Sequence, residues 1–456
     1  MKEDTIAAVS TPLGEGGIGI VRISGPESVE IGEKVFRHTG GKHVREFATH
    51  TLHLGKVIDT DTGQVVDEVL LTVMKGPRTF TGEDIVEINC HGGAAPLMRT
   101  LEVVLGNGAR LAEPGEFSKR AFLNGKIDLA QAEAIIDVIR AKTDHGLKAA
   151  VENLEGSLSK EINKVRNDLS GVLGRVEVNI DFPGEDPTAE LKTEELDALL
   201  AESARSIKRL LSGAKRGKIL REGIKAVIVG KPNVGKSSLL NALLKEKRAI
   251  VTEVPGTTRD VIEEMLNVGG IPIRIMDTAG IHEAKDEVEK MGVARSRELL
   301  GQADIVLVIL DASTGLEDED LQILNALADR PKIVVINKKD LNGNAEDSFN
   351  EMGETISVSA KTGEGLNLLE EKIRAMVLAE QPRGEGALIT RVRHEDALKH
   401  ALGHLEEGRK GCRQGMPLDI ISIDIREAWT GLGEITGETA SEEILDRVFS
   451  EFCIGK

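Results

Sequence analysis

Gly230-Lys-Pro-Asn-Val-Gly-Lys-Ser237 follows the short apolar run Ala226–Val229 and opens the helix-patterned stretch Ser238–Leu244. This is the spacing of a phosphate loop between a strand and a helix. Glycines let backbone N–H groups approach phosphates, a lysine reaches the β and γ groups, and a hydroxyl ligates Mg2+. The pattern assigns Asn233, Val234, Gly235, Lys236, Ser237 and Ser238 to the nucleotide, with Ser237 on the metal. Asp277, Thr278, Ala279 and Gly280 close a second apolar run, Ile273–Asp277, where a carboxylate can hold the metal through water and a glycine can meet the γ-phosphate. Asn337, Lys338 and Asp340 fall in Asn337-Lys-Lys-Asp340, after the run Ile333–Asn337. The Asp340 carboxylate can accept from both N1–H and the 2-amino group of guanine, a donor pair that adenine lacks. A site built on such bonds discriminates by about 10⁴ or more, so GTP is expected. Ser359, Ala360 and Lys361, at the end of the run Ile356–Ala360, are placed to close over the base.

Around this loop, from Lys225 to about Glu380, short and nearly continuous apolar runs alternate with helical stretches. That texture predicts a mostly parallel sheet covered on both faces. Upstream, from Asp4 to about Arg120, the β-rich runs Ile18–Ile23, Val69–Met74 and Asp84–Asn89 are interrupted by helical patterns near Glu27–Arg37 and Pro96–Leu105, an α+β texture. Helical spacing takes over after Lys126 and continues to about Val178, resumes over Thr193–Ser212, and returns from His394 to Phe452. Neither helical flank reads as a complete domain. The two are therefore expected to pack together, with the α/β unit inserted between them, since adjacent termini make insertion feasible. The resulting division is an N-terminal domain over 1–120, a helical domain over 121–218 and 382–456, and an inserted domain over 219–381.

The chain has 456 residues, enough for about two to four domains. Acidic residues outnumber basic ones by 76 to 58, and the net charge of −18 argues against a protein that coats nucleic acid by bulk electrostatics. Any RNA contact must be local or shared. Aromatic residues are 2% of the chain, with Trp429 its single tryptophan and no tyrosine, which disfavours a base-stacking surface. Cys90, Cys412 and Cys453 are widely spaced and odd in number, as suits a reducing compartment. No apolar run approaches the roughly 20 residues that span a bilayer. A cytoplasmic protein without an integral membrane partner is expected.

The motifs leave hydrolysis open. In Ras-like GTPases a glutamine orienting water follows Asp-Thr-Ala-Gly; here that residue is Ile281, which cannot do so. Glu289 reads on pattern alone more as a solvated charge on a helix face than as a water-positioning carboxylate. Arg259 reads as an arginine finger or a salt-bridged loop residue, and Thr258 as a switch hydroxyl completing the Mg2+ shell.

Taken together, these motifs resemble the MnmE (TrmE) family, bacterial GTPases of tRNA wobble-uridine modification. The likeness runs through nearly the whole chain: Gly16-Gly-Ile-Gly-Ile-Val-Arg-Ile-Ser24, Phe80-Thr-Gly-Glu-Asp84, His91-Gly-Gly93, Pro114-Gly-Glu-Phe-Ser118, Leu129-Ala-Gln-Ala-Glu-Ala134, the GTPase signatures, and the terminal Phe452-Cys-Ile-Gly-Lys456. The resemblance implies a multidomain fold: an α+β tetrahydrofolate-binding-like N-terminal domain that forms a homodimer, then an all-α domain carrying an inserted α/β P-loop GTPase domain. It implies a complex with the flavoprotein MnmG that adds an aminomethyl or carboxymethylaminomethyl group at carbon 5 of the wobble uridine of tRNA. The one-carbon unit comes from a 5-formyl or 5,10-methylene tetrahydrofolate.

By motif, the folate contacts become Arg22, Glu87, Lys126 and Lys456. The basic groups suit glutamyl carboxylates, and Glu87 suits pterin N–H donors. The resemblance also implies K+ between two GTPase domains, with Asn233, Thr252, Val254 and Thr257 as its ligands, the last three through backbone carbonyls. Glu253, Pro255, Gly256 and Thr258 complete the nucleotide-binding switch loop. Glu289 takes the water-positioning role, and the catalytic set is Glu289, Lys236 and Cys453. The Cys453 thiol reads either as a nucleophile activated near Lys456 or as an inert group. Two other classes compete: a ribosome-assembly GTPase, for which no basic Gly-x-x-Gly segment is evident, and a stand-alone folate-dependent aminomethyltransferase.

Overall fold

The computed structural model describes residues 4–182, 191–247, 264–276, 300–341, 349, 354–378 and 387–456. It divides into two compact units, one of Met1–Ile136 with Leu432–Lys456 and one of Asp137–Gly431. The first unit thus includes the chain's last segment.

In the first unit, β1 (Ile6–Val9), β2 (Gly19–Ser24), β3 (Phe36–His38), β4 (Thr51–Ile58), β5 (Val65–Met74), β6 (Ile85–Cys90) and β7 (Arg110–Leu111) form one sheet in the order β3-β4-β5-β6-β2-β1-β7. Neighbours are antiparallel except β1 and β7. Alternation sends Val21, Ile23, Leu71, Val73, Val86 and Ile88 into a core that is completed by α1 (Ser28–Val35) and α2 (Ala94–Gly106) through Ile31, Val35, Leu97 and Val104. Two pairings decide the later geometry: Arg22 stands opposite Glu87 across β2 and β6, and α3 (Glu116–Leu123) buries Phe117 against Ile6 and Ala8 of β1. Leu129, Ala132 and Ile136, from α4 (Leu129–Arg140), pack with Val448, Phe449 and Phe452, so the end of the chain is built into this unit.

In the second unit the helices α5 (Asp144–Leu154), α6 (Ser157–Asp181), α7 (Thr193–Ser212) and α8 (Ala214–Glu222) precede a second sheet in the sequence. That sheet comprises β8 (Ile224–Val229), β9 (Glu264–Val268), β10 (Ile271–Ile275), β11 (Ile305–Asp311), β12 (Lys332–Asn337) and β13 (Thr355–Ser357), in the order β13-β12-β11-β8-β10-β9. All neighbours are parallel except the hairpin β9–β10. The strands are apolar on both sides because both faces are covered. Ile228, Leu307, Ile309 and Val335 pack on one face with Leu239 and Leu243 of α9 (Lys236–Lys247). Val308, Leu310 and Ile336 pack on the other with Leu327, which follows α10 (Asp318–Ala326). Leu369 and Ile373 of α11 (Leu366–Leu378) belong to the first of these cores.

Two long helices come after the sheet, α12 (Val392–Arg413) and α13 (Leu418–Thr436), followed by α14 (Glu442–Ser450), which joins the first unit. α12 is bound to α7 by the pairs Lys208–Glu406 at 2.6 Å and Asp197–Arg409 at 2.7 Å, so helices on either side of the sheet segment pack together. The Trp429 ring takes the Arg166 guanidinium at 4.4 Å from its centroid. Among the described residues no helix is long and apolar enough to cross a membrane.

Candidate functional site

Ligands of open parallel sheets bind at the carboxyl ends of the strands, where the strand order reverses. Here β8 is the reversal point: the chain pairs it with β10 on one side and β11 on the other. The 230–237 loop leaves β8 at that edge. Gly230 has φ +152°, Asn233 +63° and Gly235 +94°, conformations that two glycines and an asparagine tolerate. A Cβ at Gly235 would run into the Asn337 amide, and one at Gly230 into the Ile309 carbonyl. The loop is therefore held tightly against the ends of β11 and β12.

Lys236 begins α9, with Ser237 half-buried and Ser238 exposed behind it. The Lys236 ammonium donates to the carbonyls of Gly230 at 2.8 Å and Lys231 at 2.7 Å. No described carboxylate pairs with it, and burial pushes its pKa down. A half-buried cation at a helix N-terminus, met among the described residues by neutral acceptors, is chemistry that a phosphate would complete. The residues present thus fit a nucleoside polyphosphate.

Asn337 is buried at the end of β12, and its amide joins two loops. Nδ2 donates to the Val234 carbonyl at 2.9 Å, and Oδ1 accepts from the Ala360 N–H at 3.0 Å. One side chain therefore fixes the phosphate loop relative to the 359–361 loop. Asp340, in the short helix Lys339–Leu341, accepts the Ser359 hydroxyl at 2.7 Å on Oδ1. Lys338, at φ +67°, turns its ammonium to Asp311 Oδ2 at 2.5 Å. Burial opposes ionisation of Asp311, but Lys338 and two donors from Ser313 outweigh it and hold the carboxyl below its ordinary range. Asp311 was not singled out in the sequence; its position at the end of an apolar run was the available signal. Lys361 is exposed beside this edge. Thr252, Glu253, Val254, Pro255, Gly256, Thr257, Thr258, Arg259, Asp277, Thr278, Ala279, Gly280 and Glu289 lie outside the described residues.

A second cluster forms in the first unit. Arg22 Nε donates to Glu87 Oε1 at 2.7 Å, its Nη1 reaches the Gly455 carbonyl at 3.5 Å, and its guanidinium lies 5.7 Å from the Phe117 ring centroid. Gly455 has φ +94°, and a Cβ there would overlap the Val9 carbonyl, so the chain end is threaded closely along β1. Ser10 Oγ donates to the same Gly455 carbonyl at 3.2 Å. Lys456 is half-buried. Burial and Arg22 push its pKa down, and Glu87 and the Cys453 thiol oppose them. Cys453 is exposed and free.

The structure thus gathers Arg22, Glu87, Cys453 and Lys456 at one place, while Lys126 donates to the Pro77 carbonyl at 2.8 Å. Arg120, which the sequence did not flag, is buried and binds Asp4, Glu83 and Glu116 at 2.8, 3.1 and 3.1 Å, tying two of the quoted motifs to the N-terminal segment. Among the described residues no group of three or more His, Cys, Asp or Glu side chains is placed to hold a metal ion.

Fold and site together define a P-loop nucleotide-binding protein. A family model described as the MnmE helical domain matches residues 129–453, and one described as the GTP-binding protein TrmE N-terminus matches residues 5–126. The tRNA modification GTPase MnmE of Desulforamulus reducens is 51% identical over the full length of both chains, and that of Heliobacterium modesticaldum is 53% identical, also over all of both. The counterpart from Lactococcus lactis is 49% identical over 99% of this chain and 98% of its own. The chain belongs to the MnmE family.

Proposed function

We propose that the protein is a GTP hydrolase of tRNA modification, switched by GTP at the carboxyl edge of the second sheet. The Asn337 bridge carries this reading: it fixes the phosphate loop with its lysine against the loop that steadies Asp340, so that groups suited to phosphate and to guanine lie on one sheet edge. Lys236 binds the β and γ phosphates, and Asp340 accepts the two guanine donors. Ser237 and Thr258, with Asp277 through water, would hold Mg2+, which would neutralise phosphate charge. Glu289 orients the attacking water.

The finer parts of the reading rest on the family resemblance. Asn233, Thr252, Val254 and Thr257 would hold K+, which would supply the charge that an arginine finger supplies elsewhere, where two GTPase domains meet. Arg22, Glu87, Lys126 and Lys456 hold a tetrahydrofolate one-carbon donor, with the N-terminal domain forming the homodimer. MnmG joins in adding the aminomethyl or carboxymethylaminomethyl group to the wobble uridine of tRNA in the cytoplasm. The GTPase domain over 219–381 is an insertion in the helical domain. In support, α7 and α12 pack together around the segment that lies between them in sequence. Hydrolysis measured in potassium and in sodium salts tests the reading: faster turnover in potassium, and its loss in Glu289→Ala, are expected. Equal rates in both salts, or full activity of the variant, would overturn the hydrolysis assignment.

A further inference from the structure

The edge of the second sheet opposite the nucleotide opens into a cleft of about 1180 Å3, bounded by the end of α4, by α8, and by the amino ends of β8, β11 and β12. Its chemistry runs against the rest of the chain. The molecule carries a net charge of −18, yet seven basic and three acidic side chains line the cleft.

The three acids are occupied from within. Asp137 accepts from Arg221 at 3.0 Å, Arg391 at 2.9 Å and the Thr390 hydroxyl at 3.2 Å. Asp304 Oδ2 accepts the Lys225 N–H at 2.7 Å, and Glu222 pairs with Arg221 at 3.3 Å. The ammonium groups of Lys142, Lys218 and Lys225 make no ion pair with a described carboxylate. Lys218 and Lys225 are exposed and Lys142 is half-buried.

Three unneutralised lysines in a concave wall call for a ligand with several closely spaced anionic oxygens. Among the described residues no aromatic side chain lines the cleft, so none of them stacks a base there. The volume exceeds the roughly 300–1,000 Å3 typical of small-molecule pockets. A short run of phosphodiesters fits both facts.

We propose that this cleft docks the sugar–phosphate backbone of the RNA substrate, through Lys142, Lys218 and Lys225. The identity of the polyanion rests on the tRNA reading above. The docking contributes affinity and register without reading sequence, because phosphate contacts position a nucleic acid and base contacts specify it.

Binding of a fluorescent tRNA transcript to the full-length protein, followed by anisotropy from about 50 to about 200 mM salt, tests this. Each single-strand phosphate contact contributes about 0.7 to the slope of log affinity against log salt, so Lys142→Gln/Lys218→Gln/Lys225→Gln should flatten that slope by about 2. Over that fourfold salt range the wild type should then weaken about 20-fold more than the variant. Guanine nucleotide affinity and the thermal midpoint should be unchanged. If the triple variant fails to fold, Lys218→Gln alone should flatten the slope by about 0.7. An unchanged slope overturns the proposal, as does a variant that loses inorganic tripolyphosphate binding yet keeps tRNA. A wild-type chain that binds no tRNA at any salt strikes the tRNA reading itself as well as the cleft.

Discussion

The nucleotide edge of the second sheet and the Arg22–Glu87–Lys456 cluster of the first unit both gather charged groups around half-buried lysines, but they are built by different routes. In the first, each group sits just past the carboxyl end of a strand, and a parallel sheet aligns those ends without further instruction. Asn337 then bridges neighbouring loops over short distances. In the second, Arg22 meets a residue 433 positions away, and its geometry depends on the chain end being threaded along β1 by Gly455. A site made of strand ends follows from its motifs and the sheet, whereas the motifs of a site made by a returning terminus do not say that they meet.

The largest effect that would sharpen this contrast is expected at Asp340. Asp340→Asn replaces one acceptor with a donor, so GTP affinity should fall by about 10³-fold or more while xanthosine triphosphate, which carries an oxygen in place of the 2-amino group, gains. Titration calorimetry with both nucleotides reads it, and unchanged GTP affinity would break the account of guanine recognition. In the other region, deleting Lys456 or making Arg22→Ala removes a charge-assisted bond worth about 1.5–3 kcal/mol, and folate affinity should drop about 10- to 150-fold. Retained affinity in both variants would separate the cluster from the ligand.

A smaller effect concerns Asp311. Its folded pKa lies below the ordinary 3.8, so it contributes stability that is complete above that value and is lost as pH falls through the folded pKa. Asp311→Asn should therefore cost about 1–3 kcal/mol at pH 7, with the gap to wild type closing in acid, as denaturant titrations at several pH values would show. The least perturbing test uses the thiols. Burial pushes Cys90 and Cys412 up to about 11, and Cys453 is exposed. Iodoacetamide at pH 8 should modify one site per native chain, at Cys453, and three once the chain is unfolded, as read by mass spectrometry.

Much of the second sheet was legible because its strands are apolar on both sides and end in recognisable loops: the run Ile333–Asn337 falls within one residue of the strand Lys332–Asn337. The antiparallel β9 was not, since Glu264–Val268 has neither a continuous apolar run nor a motif after it. In the first unit the short strands β1, β3 and β7 carry too few residues for a period to register. The role of Asn337 as a bridge was hidden for another reason. A motif records which residue stands at a strand end, but the partners Val234 and Ala360 are set by how the loops fold back. Joining the Cys-Ile-Gly-Lys tail to Arg22 required the family resemblance, because nothing in the spacing of distant residues reports that the last turn returns to the first strand.

Nucleoside analysis of tRNA from cells lacking this protein tests the central claim most directly. The account predicts that the carbon-5 side chain of the wobble uridine disappears, returns with the wild-type chain, and does not return with Lys236→Ala. Wobble uridines that are unchanged by loss of the protein would contradict it.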